Sequence, residues 1–193
     1  MATPTTIGDI ASGAFSRRRF TVAEYYKLAD AGILTEDDRV ELIEGDIVEM
    51  TPIGLRHAAT VDITADILRD RLANLARVRI QNPVHLADDT EPQPDLTVCA
   101  LREYFDRHPT PADIFLIVEI ADSSVERDRA KILFYARAGI REVWLVDLTA
   151  ATIELYRGPM ENEYRTIHRI RREDSLTIEA FPGISFAADN ILR

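Results

Sequence analysis

Four residues spread along the chain could do acid/base chemistry together: Glu44, Asp95, Glu119 and Lys131. The lysine stands out, because the chain has 23 lysine and arginine residues and only Lys27 and Lys131 are lysines. An ammonium is a compact, mobile charge that can lose its proton when its surroundings shift its pKa, whereas a guanidinium cannot. Lys131 is therefore a candidate for chemistry that arginine cannot do, the alternative being chance retention.

Two carboxylates are predicted to lie on neighbouring strands. Glu119 falls near the end of the apolar segment 114–120, which is typical of a central strand buried on both faces. A buried carboxylate needs a partner, a proton or a metal, and the alternative to a metal is a salt bridge with an arginine. Asp95 follows Pro94 at the start of another predicted strand, where a proline limits pairing and places the aspartate near the strand end. Carboxylate oxygens are the ligands that Mg²⁺ or Mn²⁺ prefers.

Lys131 lies on a predicted helix over 125–138, directly after the strand that carries Glu119. Asp128, Lys131 and Tyr135 share one face of this helix. If that face meets the strand ends, the ammonium can reach a water bound to the metal. The alternative is an ion pair between Asp128 and Lys131 on a solvated face.

The remaining pattern predicts the elements that must position these residues. A capping box at Thr21 and Glu24 opens a helix over 22–31, and a hairpin over 39–50 turns at Gly45-Asp46, with Glu44 ending its first strand. A helix over 55–75, strands at 77–86 and 95–99 and a short helix at 101–107 follow, and Ser123 and Ser124 are among the caps of the helix at 125. The last elements are a strand at 141–147, a hairpin of 152–157 with 163–171, and a final strand near 176–180. The strand–helix–strand unit from 114 to 147 implies a right-handed crossover between parallel strands. The fold class is thus α/β or α+β, with a mixed sheet and helices on its faces.

Length and composition narrow the class of protein. A chain of 193 residues suits one domain, predicted here over 20–186 with a loose arm at 1–19 and a tail at 187–193. The sequence has no membrane-spanning apolar run and no signal-peptide pattern, so we expect a cytoplasmic protein with no membrane partner. Cys99 is the only cysteine, which excludes an internal disulfide and a cysteine-based zinc site. A net charge of −10 argues against simple nucleic-acid binding, although a metal site concentrates carboxylates.

The motifs taken together resemble a known family. The segments 41–49 (ELIEGDIVE), 93–96 (QPDL) and 117–124 (IVEIADSS), followed by Asp128, Lys131, Tyr135, Gly139 and 142–147 (EVWLVD), resemble the Uma-type restriction endonuclease family. That family is similar to the PD-(D/E)xK nuclease superfamily, and the resemblance covers about residues 20–185. It implies a restriction endonuclease-like fold, with a central mixed sheet flanked by helices and an added hairpin region. The active site would lie where the strands diverge.

The resemblance also implies roles for individual residues. Asp95 and Glu119 would bind Mg²⁺ or Mn²⁺, Glu44 would complete the acidic cluster, and the main-chain carbonyl of Ile120 would add a ligand. His57, near the start of the long helix, matches a position where the family often has histidine, and would contact phosphate or the metal-bound water. Alternatively, His57 is simply a polar residue at the start of a helix.

The catalytic lysine departs from the superfamily pattern. The usual lysine follows the glutamate by two residues, and this chain has Ala121 at that position. The resemblance implies that Lys131 replaces it from the following helix, with Tyr135 on the same face as a second-tier site residue.

Three hypotheses for function remain open at this stage. The first is a Mg²⁺-dependent DNA endonuclease, in which Lys131 orients or deprotonates a metal-bound water or offsets charge on the phosphate. A homodimer would present two such sites to the two strands of a duplex. The second is a catalytically silent nucleic-acid-binding or regulatory module on a nuclease scaffold. The third is hydrolysis of another phosphoester, such as RNA or a nucleotide.

Overall fold

A six-stranded mixed sheet forms the centre of the protein, in a computed structural model that describes residues 17–35, 37–122 and 125–193. The elements in chain order are α1 (Val22–Asp30), β1 (Val40–Ile43), β2 (Asp46–Glu49), α2 (Leu55–Arg71), β3 (Ala76–Ile80), β4 (Leu96–Ala100), β5 (Ile114–Ala121), α3 (Val125–Arg137), β6 (Glu142–Asp147), β7 (Thr152–Pro159), β8 (Tyr164–Ile170), β9 (Ser175–Ile178) and β10 (Phe181–Ala187). Short 3-10 turns at Pro111–Asp113 and Ala188–Asn190 complete them.

The strand order of the central sheet is β3-β4-β5-β6-β7-β8. Strands β5 and β6 are parallel and joined through α3, whereas every other neighbouring pair in the sheet is antiparallel. The predicted mixed sheet and the predicted parallel pairing of the two strands that flank the helix are therefore confirmed. Two hairpins, β1-β2 and β9-β10, form separate two-stranded sheets.

The two faces of β5 point into two different hydrophobic cores. Leu116, Val118 and Ile120 pack in the core that includes α2, while Ile117 and Ala121 pack in the core that includes α3. Because side chains alternate along a strand, residue 119 lies on the α3 face together with residues 117 and 121. This alternation turns the carboxylate of β5 towards the helix that carries the lysine.

The β1-β2 hairpin turns one residue earlier than predicted. Ile43 pairs with Asp46, and the turn residues are Glu44, with φ of 47°, and Gly45, with φ of 79°. A two-residue turn of this kind requires positive φ at both positions. A Cβ on Gly45 would also lie only 2.5 Å from Cβ of Arg19, so glycine is required by space as well. Glu44 thus occupies the turn itself and does not end the strand.

The helices follow the prediction closely at their starts. The capping box at α1 is confirmed, with the Glu24 amide donating to Thr21 Oγ1 over 3.2 Å. Helix α2 ends at Arg71, four residues before the predicted end. The predicted caps Ser123 and Ser124 lie outside the described residues. No helix in the described ranges is long and apolar enough to cross a membrane.

Two further predicted elements were wrong, and one strand was not predicted. Strand β3 ends at Ile80 because Gln81 adopts a positive φ of 47°, which turns the backbone away. Residues 101–107 form bends and no helix. Strand β10 was not predicted, since Pro182 and Gly183 fall inside it and both residues are poor signals for a strand.

Candidate active site

The side chain of Lys131 lies between two buried carboxylates. Its Nζ is 3.1 Å from Oε1 of Glu119 and 3.1 Å from Oε2 of Glu41. The three residues come from α3, β5 and β1, so the ammonium joins three elements at one point. Burial of a charge this deep is tolerated only where partners compensate it, and here two carboxylates do so.

Tyr135 adds a second donor to the same carboxylate. It follows Lys131 by one helical turn and donates its hydroxyl to Oε1 of Glu119 within the buried interior. The lysine and the tyrosine therefore both bind Oε1, and among the residues that the structure describes no hydrogen bond or ion pair engages Oε2 of Glu119. The predicted face of α3 does meet the end of β5.

Asp95 has a similar division between its two oxygens. Oδ2 accepts hydrogen bonds from His57 Nε2 at 3.0 Å and from the main-chain N–H of Ile120 at 2.9 Å. Within the described part of the chain, Oδ1 receives a single long contact, from Gln81 Nε2 at 3.3 Å. The carboxylate is thus held in orientation through one oxygen, while the other is engaged weakly.

The carbonyl of Ile120 faces the same space because of Pro94. Leu96 of β4 pairs with Val118 of β5, and continuing this register by two residues places Pro94 opposite Ile120. The N–H of Ile120 points towards β4, where it reaches Asp95, and the carbonyl of the same residue points to the same side. Pro94 has no N–H to donate to this carbonyl. A strand oxygen is thereby left beside the two carboxylates.

These groups line a cleft of about 160 Å³. Its lining includes five carboxylates, Glu41, Asp95, Glu119, Asp122 and Asp128, and three permanent cations, Arg39, Arg127 and Lys131. Carboxylates thus outnumber permanently charged cations in the lining by two, which favours binding of a further cation.

The donor set suits a cation that keeps water ligands. Within the described ranges, no three His, Cys, Asp or Glu side chains are arranged to enclose a metal by themselves. Mg²⁺ commonly binds through one or two carboxylates and retains several waters. The second oxygens of Asp95 and Glu119, with the carbonyl of Ile120, fit that requirement.

Burial shifts the proton affinities in the cleft. It raises the pKa of the Glu119 carboxyl to about 7; Lys131 offsets part of this shift and Asp95 adds to it. Burial also acts to lower the pKa of Lys131, but Glu119 and Glu41 outweigh it and hold that pKa above its ordinary value. The hydrogen bond to Asp95 raises the pKa of His57.

Glu44 is not brought into this cluster, which corrects its predicted placement. Its carboxylate pairs with Arg137 on the outer part of α3, and it lines a separate cavity with Phe134 and Leu86. The reason is the hairpin turn, which directs the side chain away from the sheet.

Glu41, which was not predicted as a site residue, occupies the place expected for Glu44. Oε2 of Glu41 also accepts the main-chain N–H of Gln93 at 3.0 Å. Its position between Val40 and Leu42 in a short apolar strand was the available signal, because a strand residue faces one defined side and a turn residue does not.

A family model described as “Uma2: Putative restriction endonuclease” matches residues 22–189. This chain belongs to the Uma2 family. The resemblance found in the sequence is thereby confirmed, and it covers most of the described structure. No curated protein matches the chain.

A solved structure supports the fold assignment of this Uma2 protein. It is described as “a putative nuclease belonging to DUF820 from Anabaena variabilis ATCC 29413”. The two structures align with a TM-score of 0.71 and 18% sequence identity, over 90% of this chain and 97% of the other. At this identity the likeness shows the shared fold, and the expected restriction endonuclease-like architecture is confirmed.

The raised pKa of Glu119 predicts a pH dependence of folding without divalent cations. The folded state binds a proton more tightly than the unfolded state, whose pKa is near 4.5, so the free energy of unfolding falls as pH rises from 4.5 to about 7. The loss is on the order of 3 kcal/mol. We expect Glu119→Gln to remove this component, as measured by urea unfolding of both proteins across that range in a chelator.

Glu44→Gln serves as the matched control, since it changes a glutamate outside the cluster. It should keep the pH slope of the wild type. A Glu119→Gln protein with the same slope as the wild type would contradict the assignment of this shift to Glu119.

Proposed function

We propose that this Uma2 protein is a metal-dependent endonuclease that hydrolyses phosphodiester bonds of DNA with a metal-activated water. The observation that carries the proposal is the contact of Lys131 with Glu119 beside Asp95, at the end where β4 begins and β5 finishes. The family description and the fold shared with a protein described as a nuclease support it. A homodimer is the proposed unit for cutting both strands.

Asp95, Glu119 and the carbonyl of Ile120 would hold Mg²⁺ or Mn²⁺. When bound, the cation polarises a phosphate oxygen and lowers the pKa of a bound water. The protein fixes these ligands in advance: His57 and the Ile120 N–H orient Asp95, while Lys131 and Tyr135 orient Glu119. Such preorganisation lowers the reorganisation needed when the substrate arrives.

Lys131 would act as a cation and not as a proton acceptor. Glu119 and Glu41 keep its pKa above the ordinary value for lysine, so it stays protonated at neutral pH. A protonated lysine can donate to the attacking water and to the phosphate oxygens, and it offsets the charge that builds on the phosphate. We therefore favour a Lys131 that orients the attacking water and offsets charge on the phosphate over a Lys131 that deprotonates the water.

Two arginines in the cleft lining would bind the flanking phosphates. Arg127 donates to Thr51 Oγ1 at 2.9 Å and to the carbonyl of Glu49, so it joins α3 to the chain that follows the hairpin. Arg39 is exposed at the rim. A local cationic rim of this kind would let an acidic protein approach DNA.

Substitutions of the proposed ligands and of the lysine should abolish cleavage. We expect Asp95→Asn and Lys131→Met each to lower the rate of plasmid cleavage in Mg²⁺ by more than about 100-fold, because each removes a group that acts on the phosphate or its cation. The rate is measured by conversion of supercoiled plasmid, with circular dichroism to verify folding.

Glu44→Gln is the matched control for this assay and should cleave like the wild type. Cleavage that persists in Asp95→Asn would contradict the proposed site. A folded wild-type protein that binds DNA and does not cleave it with Mg²⁺ or Mn²⁺ would favour the silent binding module instead.

Glu41 is proposed as a positioning residue for Lys131. Glu41→Gln keeps the shape and the acceptor for Gln93 but removes a charge that raises the pKa of the lysine. We expect kcat to fall about 10- to 100-fold with little change in KM, as for residues that orient a catalytic group. The alkaline limb of the pH–rate profile should also move to lower pH.

The pH profile separates positioning from a purely structural role. A loss of activity through partial unfolding would lower the amount of active enzyme without moving the alkaline limb. An unchanged kcat in Glu41→Gln would show that Lys131 does not depend on this carboxylate.

A further inference from the structure

A second groove opens directly from the candidate active site. It lies between α1 and the β1-β2 hairpin and has a volume of about 970 Å³. Five residues line both the groove and the cleft, Arg39, Met50, Ile53, Gln81 and Gln93, so the two form one continuous depression. The cleft alone, at about 160 Å³, is smaller than the roughly 300 Å³ of the smallest usual ligand pockets, whereas the groove is large enough.

A fixed and exposed aromatic ring lies in this groove. Tyr26 is 41% exposed, yet its hydroxyl donates to Oε1 of the buried Glu91 at 2.5 Å and contacts Nε2 of His108 at 3.0 Å. Its ring packs edge-on against Tyr25, whose hydroxyl donates to the carbonyl of Val40. A ring held in this way loses little freedom when a ligand covers it.

The polar groups around the ring suit a nucleotide. Two amide side chains, Gln81 and Gln93, offer donors and acceptors to a base edge, and Arg39 offers a cation to a phosphate. Of the carboxylates in the groove, Glu91 is buried against Tyr26 and Asp38 accepts the N–H of Thr35 at 2.7 Å. Asp30 at the outer end is the third carboxylate of the lining.

We propose that this groove binds an unpaired nucleotide of the DNA strand next to the scissile phosphate, with its base stacked on Tyr26. This inference rests on the proposed nuclease function. A paired base is covered on both faces by its neighbours, so only a base outside the stack can use the ring. Stacking on an aromatic side chain is tolerant of sequence, since every base has a π face.

The test measures binding without cleavage. Fluorescence anisotropy with a labelled single-stranded oligonucleotide, a fully paired duplex and a duplex with a short bulge is recorded in a chelator. We expect the single strand or the bulged duplex to bind more tightly than the paired duplex. Tighter binding of the bulged duplex than of the single strand would identify the ligand as a base displaced from a duplex. Tighter binding of the single strand would identify it as part of an unpaired strand. Equal affinity for all three would overturn the proposal.

Matched substitutions test the role of the ring itself. Tyr26→Ala should weaken binding of the preferred oligonucleotide about tenfold or more, while Tyr26→Phe, which keeps the ring and loses only the hydroxyl that holds it, should weaken binding much less. If Phe weakens binding as much as Ala, the hydrogen bonds to Glu91 and His108 matter and the stacking proposal fails. Thermal unfolding verifies that both variants fold, and Gln93→Ala provides a second test should Tyr26→Ala unfold.

Oligonucleotides that lack one base complete the cycle. An abasic site moved along the strand should weaken wild-type binding at one position, and Tyr26→Ala should add no further loss there. Additive losses at every position would contradict stacking on this ring. None of these measurements needs cleavage. A protein that does not cleave DNA but passes these tests would support the groove assignment and contradict the nuclease proposal. A protein that cleaves DNA but fails them would contradict the groove assignment alone.

Discussion

The ammonium of Lys131, held between Glu41 and Glu119, is the contact on which the site depends. It joins helix α3, the β1-β2 hairpin and strand β5, so that three elements meet at one buried charge. Well-packed apolar residues often stabilise a fold as much as a buried ion pair does. A lysine in this place, in a chain that otherwise uses arginine almost throughout, fits the catalytic role proposed for it.

The strand geometry supplies the rest of the site from ordinary constraints. Alternation of side chains along β5 turns Glu119 towards α3. Ala121 lies two residues later on the same face, and its methyl side chain carries no charge. Pro94 ends the pairing between β4 and β5, so Asp95 and the carbonyl of Ile120 are left facing the same space. The lysine can then come from the helix above without changing the position of the carboxylates.

Much of this could be predicted from the sequence, and the exceptions have local causes. The continuous apolar runs of β5 and β6 and the helix between them have strong sequence signals, and these elements bring Glu119 and Lys131 together. The hairpin turns one residue earlier than predicted, so Glu41 lies in the site and Glu44 does not. The hydrophobic pattern of two four-residue strands does not determine their register to one residue. The groove at Tyr26 depends on the packing of α1 against distant residues, and no local pattern indicates it.

Anomalous scattering from a crystal of this protein soaked in Mn²⁺ would show whether a cation binds beside Asp95 and Glu119. We expect one peak bonded to Asp95, Glu119 and the carbonyl of Ile120, with Nζ of Lys131 directed at a water of that metal. The same soak of Asp95→Asn should show a weak peak or none. A peak elsewhere would contradict this metal site, as would a wild-type crystal without a peak in which the carboxylates still contact Lys131.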